Sequence, residues 1–156
     1  MSAPLLPEAA FDDVLNIRIA RLAAKLSVAF HREALKPAGI SLQEWRVLVG
    51  LARFGQCHLR KISRLVQLDA AHASRVTQQL EKDGLIARTA DPTDRRKVVL
   101  SLTETGQSVF FQIWPKAKDF SLRQQSALGI EDFETLKGIL DNLMDYADDA
   151  LDTEPV

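Results

Sequence analysis

Residues 91–106 read DPTDRRKVVLSLTETG (Asp91–Gly106). Aspartate and proline open the segment as a turn, and two adjacent arginines, Arg95 and Arg96, follow. Val98, Leu100 and Leu102 then recur at every second position, the period of a strand with one apolar face. Thr103 follows as a helix start. The segment therefore reads as the tip and one arm of a β-hairpin that holds cations away from the protein body. Leu85–Thr89 is short and β-prone and supplies the other arm, pairing with Lys97–Leu102 across Ala90–Arg96.

Upstream of the hairpin the period changes to that of helices. A long first helix is expected from Glu8 to about Lys36, with Phe11, Leu15, Leu22, Leu26 and Ala29 on one stripe and Pro37 and Gly39 ending it. Ser41 caps a second helix, with Glu44 three residues on completing a capping box. Its inner face is expected to be Leu42, Trp45, Leu48, Val49 and Ala52, and Gly55 stops it. A third helix covers about Leu59–Val66. Asp69 caps a fourth, Ala70–Asp83, which Gly84 ends. A short turn between two helices, held by Ile62, Leu65, Val76 and Leu80, is a helix-turn-helix. Downstream, a fifth helix runs from Thr103 to about Leu128, bent rather than ended at Pro115. A sixth spans Glu131 to about Ala150 with Phe133, Leu136, Ile139, Leu140, Leu143 and Tyr146 inward. The expected fold is mainly α: a winged helix-turn-helix over residues 41–103, flanked by long terminal helices at 1–40 and 104–156. Those helices must bury their apolar stripes somewhere, and a second copy of the chain is the simplest partner.

Composition narrows the function classes. The net charge of −1 is unevenly spread. Residues 41–104 carry 11 Lys+Arg against 7 Asp+Glu, whereas residues 105–156 carry 4 against 10. A basic middle and an acidic end suit a partner that is anionic on one side only. No apolar run approaches a membrane span, and the first residues lack the pattern of a secretory signal. The single cysteine, Cys57, excludes an intramolecular disulfide and suits a reducing cytoplasm. No glycine-rich phosphate loop, nucleophile elbow or paired Cys/His arrangement points to an enzyme. His31, His58 and His72 are too widely spaced for a metal site, and no cofactor is expected.

The chemistry concentrates on the fourth helix and the hairpin. The outward set of the helix is Ala71, His72, Ser74, Arg75 and Gln78, with Gln79 at its margin. Arginine reads guanine, glutamine reads adenine, serine is permissive, and alanine meets a thymine methyl. On the hairpin, Asp94 orients Arg96, and an arginine so held suits the negative potential of a narrow minor groove. Arg88 is expected to add a phosphate contact, and Arg95 and Lys97 to meet phosphate or solvent.

These residues carry a resemblance. SLQEWRVL (Ser41–Leu48), the helix-turn-helix Leu59–Leu80, LEKDGLIAR (Leu80–Arg88) and DPTDRRKVVLSLTETG together resemble the MarR family of bacterial winged-helix transcription regulators over nearly the whole chain. The resemblance implies a triangular, mainly helical homodimer on a pseudo-palindromic duplex operator. The fourth helix would enter the major groove and the wing the minor groove. Asp94 and Arg96 fall on the family's wing-tip Asp–Arg pair, and Arg75 on its frequent recognition-helix arginine. It also implies repression relieved by a small ligand or an oxidant.

Arg18 lies in the middle of the first helix's apolar stripe, where a charge must be paired. A guanidinium grips a carboxylate bidentately, and members of the resembled family that sense aromatic acids use a cleft bordered by the first, second and fifth helices. The resemblance therefore implies that Arg18 anchors a small aromatic carboxylate there, with Trp45, Arg46 and His31 as neighbours. A structural ion pair is the other reading of Arg18. Two further readings stay open: a redox regulator working through Cys57, and a winged-helix interaction module that no longer reads sequence.

Overall fold

The computed structural model of the chain describes residues 13–91, 94 and 97–152. Among them lie helices α1 (Leu15–Phe30), α2 (Leu42–Phe54), α3 (Leu59–Val66), α4 (Ala70–Lys82), α5 (Glu104–Leu128) and α6 (Ile130–Asp152). Three short strands interleave with them: β1 (Cys57–His58), β2 (Ile86–Ala90) and β3 (Val98–Leu102). This is the mainly helical winged helix-turn-helix that the sequence implied. Two compact units, Met1–Pro115 and Lys116–Val156, divide the chain within α5.

Local chemistry sets most boundaries. At α2 the Ser41 hydroxyl accepts from the Glu44 amide at 3.2 Å, and the Glu44 carboxylate accepts from the Ser41 amide at 2.7 Å. That reciprocal pair satisfies two of the donors that a helix start leaves open. Gly84, at φ +71°, makes the left-handed turn from α4 into β2. The first helix departs from expectation at both ends. It opens at Leu15 after Val14, which takes extended backbone with no capping side chain. The expected start at Glu8, and Phe11, lie outside the described residues. At the other end the helix widens into a π-helical turn, His31–Leu35, and then tightens into a 3-10 turn, Lys36–Ala38. The π turn carries Ala34 and Leu35 into the core, at 1% and 0% exposure.

The sheet order is β1-β3-β2, all antiparallel. Ile86 pairs with Leu102 and Arg88 with Leu100, while Cys57 on the other side also faces Leu100. The two-residue β1 was not foreseen: Cys57 lies in a strand rather than a loop. Thr103 joins the hairpin to α5. Its amide donates to the Leu85 carbonyl at 3.1 Å, its hydroxyl donates to the Gly84 carbonyl at 2.7 Å, and that hydroxyl accepts from the Gly106 amide at 3.0 Å. Gly106 is required there, because a Cβ would stand 1.9 Å from the Leu85 carbonyl oxygen.

The core of the first unit gathers Leu35, Val47, Leu48, Leu51, Ile62, Leu80, Ile86, Leu100 and Ile113, all essentially without exposure. Trp45 lies between Phe30 and Phe110, with ring centroids at 6.0 and 5.5 Å. The inner face of α2 is therefore Trp45, Val47, Leu48 and Leu51, not the stripe that included Leu42, Val49 and Ala52. The reason is that α2 is enclosed by α3, α4, β3 and the π turn rather than covered on one side. Leu65, expected between the helices of the motif, is 43% exposed, whereas Ala73 of α4 is fully buried.

In the second unit, of the α6 residues expected inward, Leu136, Ile139, Leu140 and Tyr146 are exposed in the single chain (Ile139 50%, Tyr146 72%), while Phe133 and Leu143 are half-buried. On α1, Leu15 and Leu22 of the expected stripe are exposed, as is Val28. None of the helices among the described residues is long and apolar enough to cross a membrane.

Candidate nucleic-acid interface

Helix α4 is fixed at its start, its middle and its end. At the start, the Asp69 carboxylate accepts from the His72 amide at 2.8 Å. That hydrogen bond is the main reason the Asp69 carboxyl lies below its ordinary value. Inward, Ala73, Val76, Thr77 and Leu80 are buried. Outward, Ala71, Arg75, Gln78 and Gln79 are exposed, and His72 and Ser74 half-buried. The helix thus presents Ala71, Arg75 and Gln78 on its open side. Gln79 is tied to its own helix end, donating to both Asp83 carboxylate oxygens at 2.9 Å.

The middle is held by a residue that sequence reading had sent elsewhere. Arg88 was expected at phosphate. In the structure its guanidinium turns inward, donating to the Thr77 hydroxyl at 2.7 Å and lying 3.3 Å from the Glu81 carboxylate. The Arg88 side chain is only 15% exposed. Alternation explains this: Arg88 shares a strand face with the buried Ile86 and stands opposite the fully buried Leu100. Thr77, itself fully buried, passes the contact on by donating to the Ala73 carbonyl at 2.9 Å. Arg88 therefore braces β2 against α4.

The base of the wing is closed by a small polar network. The Asp91 amide donates to the Lys97 carbonyl at 2.9 Å, and the Lys97 amide donates to the Asp94 carbonyl at 2.8 Å. The Asp91 carboxylate accepts from the Asp94 amide at 3.1 Å and lies 3.4 Å from His58 of β1. Asp94 also pairs with Lys97 at 3.4 Å. Arg95 and Arg96, and so the expected Asp94–Arg96 pair, lie outside the described residues.

The four residues expected around an effector are not gathered in the single chain. Arg18 lines a shallow surface with Ile19, Arg21, Leu22 and Lys25 of its own helix. Trp45 stands in the aromatic core and shares one surface cavity with Arg46, which Arg53 and Phe54 also line, away from Arg18. His31 sits half-buried in the π turn. Sequence reading missed a cavity of about 830 Å³ lined by α2, β3 and α5, with Arg53, Gln56, Gln107, Phe110, Phe111 and Trp114 among its walls. The signal was present in the apolar cluster Phe110, Phe111 and Trp114. Cys57 is buried at 7% exposure, and burial pushes its thiol up despite nearby Lys61. A thiol so held is protonated and shielded, which argues against the redox reading.

Comparison with known proteins agrees with this geometry. The MarR family model matches residues 40–98, the stretch from the α2 cap to β3. The HTH-type transcriptional regulator FarR of Neisseria gonorrhoeae is 27% identical over 86% of this chain and 91% of its own. Among solved structures, a MarR family transcriptional regulator, SPO1453 from Silicibacter pomeroyi, superposes with a TM-score of 0.78 at 26% identity, covering 88% of this chain and 97% of that one. NadR, solved in complex with 4-hydroxyphenylacetate, gives 0.74 at 26% identity over 90% and 97%. FarR and SPO1453 are both named as transcriptional regulators.

Proposed function

Residues 40–98 are a MarR-family domain, and from that premise we propose that the chain is a sequence-specific, double-stranded-DNA-binding transcription regulator that works as a homodimer. The observation that carries the reading is the open polar face of α4. Ala71, Arg75 and Gln78 are exposed on a helix that Asp69 caps and Arg88 braces, beside a wing closed at its base by Asp91, Asp94 and Lys97. In this reading α4 enters the major groove, with Arg75 and Gln78 reading base edges and His72, Ser74 and Gln79 at its margins. The wing, with Arg95, Arg96 and Lys97, meets the minor groove and the phosphates bordering it. The exposed apolar faces of α1 and α6 support the dimer, since patches of that kind on a regulator need a covering surface.

Repression released by a small aromatic carboxylate completes the proposal. The cavity beside Arg53 falls within the volume range of ligand sites and combines aromatic walls with a few polar groups. Arg53 takes the anchoring role first given to Arg18, because it lines the cavity together with Phe111 and Trp114. Trp45 stacks behind its wall residue Phe110, with ring centroids 5.5 Å apart. The bound 4-hydroxyphenylacetate of NadR is a ligand of this class.

Mobility shift with the duplex upstream of its own gene, against a scrambled duplex of the same composition, tests the reading. Retardation of the first at salt that releases the second is expected. Equal retardation of both at every salt concentration would leave only nonspecific binding. Absence of any shift at low salt would favour an interaction module.

A further inference from the structure

A groove of about 810 Å³ runs between α3 and the foot of the wing, lined by α3 on one side, by Ala70 at the start of α4, and by Lys97 and Val98 of the wing. Its charged lining among the described residues is Arg60, Lys61, Arg64 and Lys97, with His58 at one end. Acids stand at its wing side, Asp94 at 3.4 Å from Lys97 and Asp91 at 3.4 Å from His58. Arg60 and Arg64 are four residues apart on α3, so they project from one face a single turn apart, and both are exposed. Lys61 is turned aside, its ammonium 4.2 Å from the centre of the Phe54 ring. The contrast with Arg88, folded onto Thr77 and Glu81, is sharp: there the cation has its partners inside the protein.

A duplex that accepts α4 in its major groove and the hairpin in its minor groove must carry the strand separating those grooves across the gap between the two elements. That strand is a run of phosphates. We propose that the α3–wing groove is its seat, with Arg60 and Arg64 as phosphate contacts and Lys97 closing the far wall. The inference rests on the DNA-binding reading and adds to it two residues that position the protein without reading sequence. Arg60 and Arg64 set how tightly and in what register the protein sits, and Arg75 sets where.

The test uses the full chain, with Arg60→Ala/Arg64→Ala, the charge-keeping Arg60→Lys/Arg64→Lys, and wild type. Affinity is measured by fluorescence anisotropy against salt, on the upstream duplex and on an unrelated duplex of equal length. Each phosphate contact contributes about 0.9 to the slope of log affinity against log salt. The alanine pair is expected to flatten that slope by roughly 1.8 on both duplexes, to weaken both by the same factor, and to keep its thermal midpoint. The lysine pair keeps the wild-type slope. A wild-type slope in the alanine pair, a loss confined to one duplex, or a lysine pair as weak as the alanine pair would each overturn the seat while leaving DNA binding intact. Failure of wild type to bind any duplex would overturn the DNA-binding reading and the seat with it.

Discussion

Replacing Arg88 with methionine separates two roles that a wing-side arginine can have. The guanidinium donates to a fully buried hydroxyl at 2.7 Å and lies 3.3 Å from Glu81, whose side chain is 46% exposed. A hydrogen bond to a charged donor contributes about 1.5–3 kcal/mol. An ion pair with a half-exposed partner adds about 0–1 kcal/mol after solvent screening. Methionine keeps most of the aliphatic stem, so Arg88→Met should cost about 2–3 kcal/mol. For a chain of this size that lowers the thermal midpoint by roughly 4–12 °C. In a Thr77→Val background the same change should cost less, because the partner is already gone. DNA affinity should fall, since α4 loses its brace, but the salt slope should not change. A phosphate contact would behave in the opposite way, flattening the slope by about 0.9 and leaving the midpoint untouched. That second pattern would refute the brace.

Two of the helical glycines, Gly106 and Gly138, should respond in opposite directions. Gly106→Ala drives a Cβ into the Leu85 carbonyl and should destabilise by at least about 1–3 kcal/mol, whereas Gly138→Ala, with open space around it, should stabilise by about 0.5–1 kcal/mol; urea midpoints that move together would contradict the packing at the wing joint. Asp69 has a lowered carboxyl, so its cap contribution is present above the unfolded value and lost as pH falls through the folded one. Asp69→Asn should therefore keep the cap and remove that acid-limb dependence from the stability profile, and an unaltered acid limb would count against it. Cys57 should react with a disulfide reagent at neutral pH only at the rate of unfolding, and Cys57→Ser should leave DNA binding and its response to peroxide unchanged. Rapid native-state labelling would reopen the redox reading.

Elements governed by neighbours in sequence were legible. Ser41 with Glu44, Asp69 with His72, and Gly84 after α4 are all contacts within a few residues, and each boundary fell within a residue of its expected place. What escaped depends on distant partners. Strand β1 is two residues long and exists only because Leu100 and Val99 pair with it. The enclosed α2 carries no single stripe, and the π turn that buries Leu35 leaves no periodic signature. Arg88 is a different kind of miss. Its period-two relation to Ile86 points it inward, whereas its charge alone points to phosphate. Of the expected effector residues, only Arg18 rests on a helical wheel; Trp45, Arg46 and His31 rest on the family resemblance. Arg18 is indeed on the stripe with Leu15 and Leu22, yet in the single chain that stripe is open, so its charge is not forced into a partner or a pocket.

Selection of bound sites from a pool of randomised duplex DNA tests the central claim most directly. A dimer presenting two α4 faces should enrich an inverted repeat whose half-sites are centred about one helical turn apart, roughly 10 bp, or a multiple of it. Arg75→Ala should relax the choice at one symmetric position in each half-site while Arg88→Met leaves the motif unchanged. Enrichment of no motif, or of one without dyad symmetry, would contradict the account.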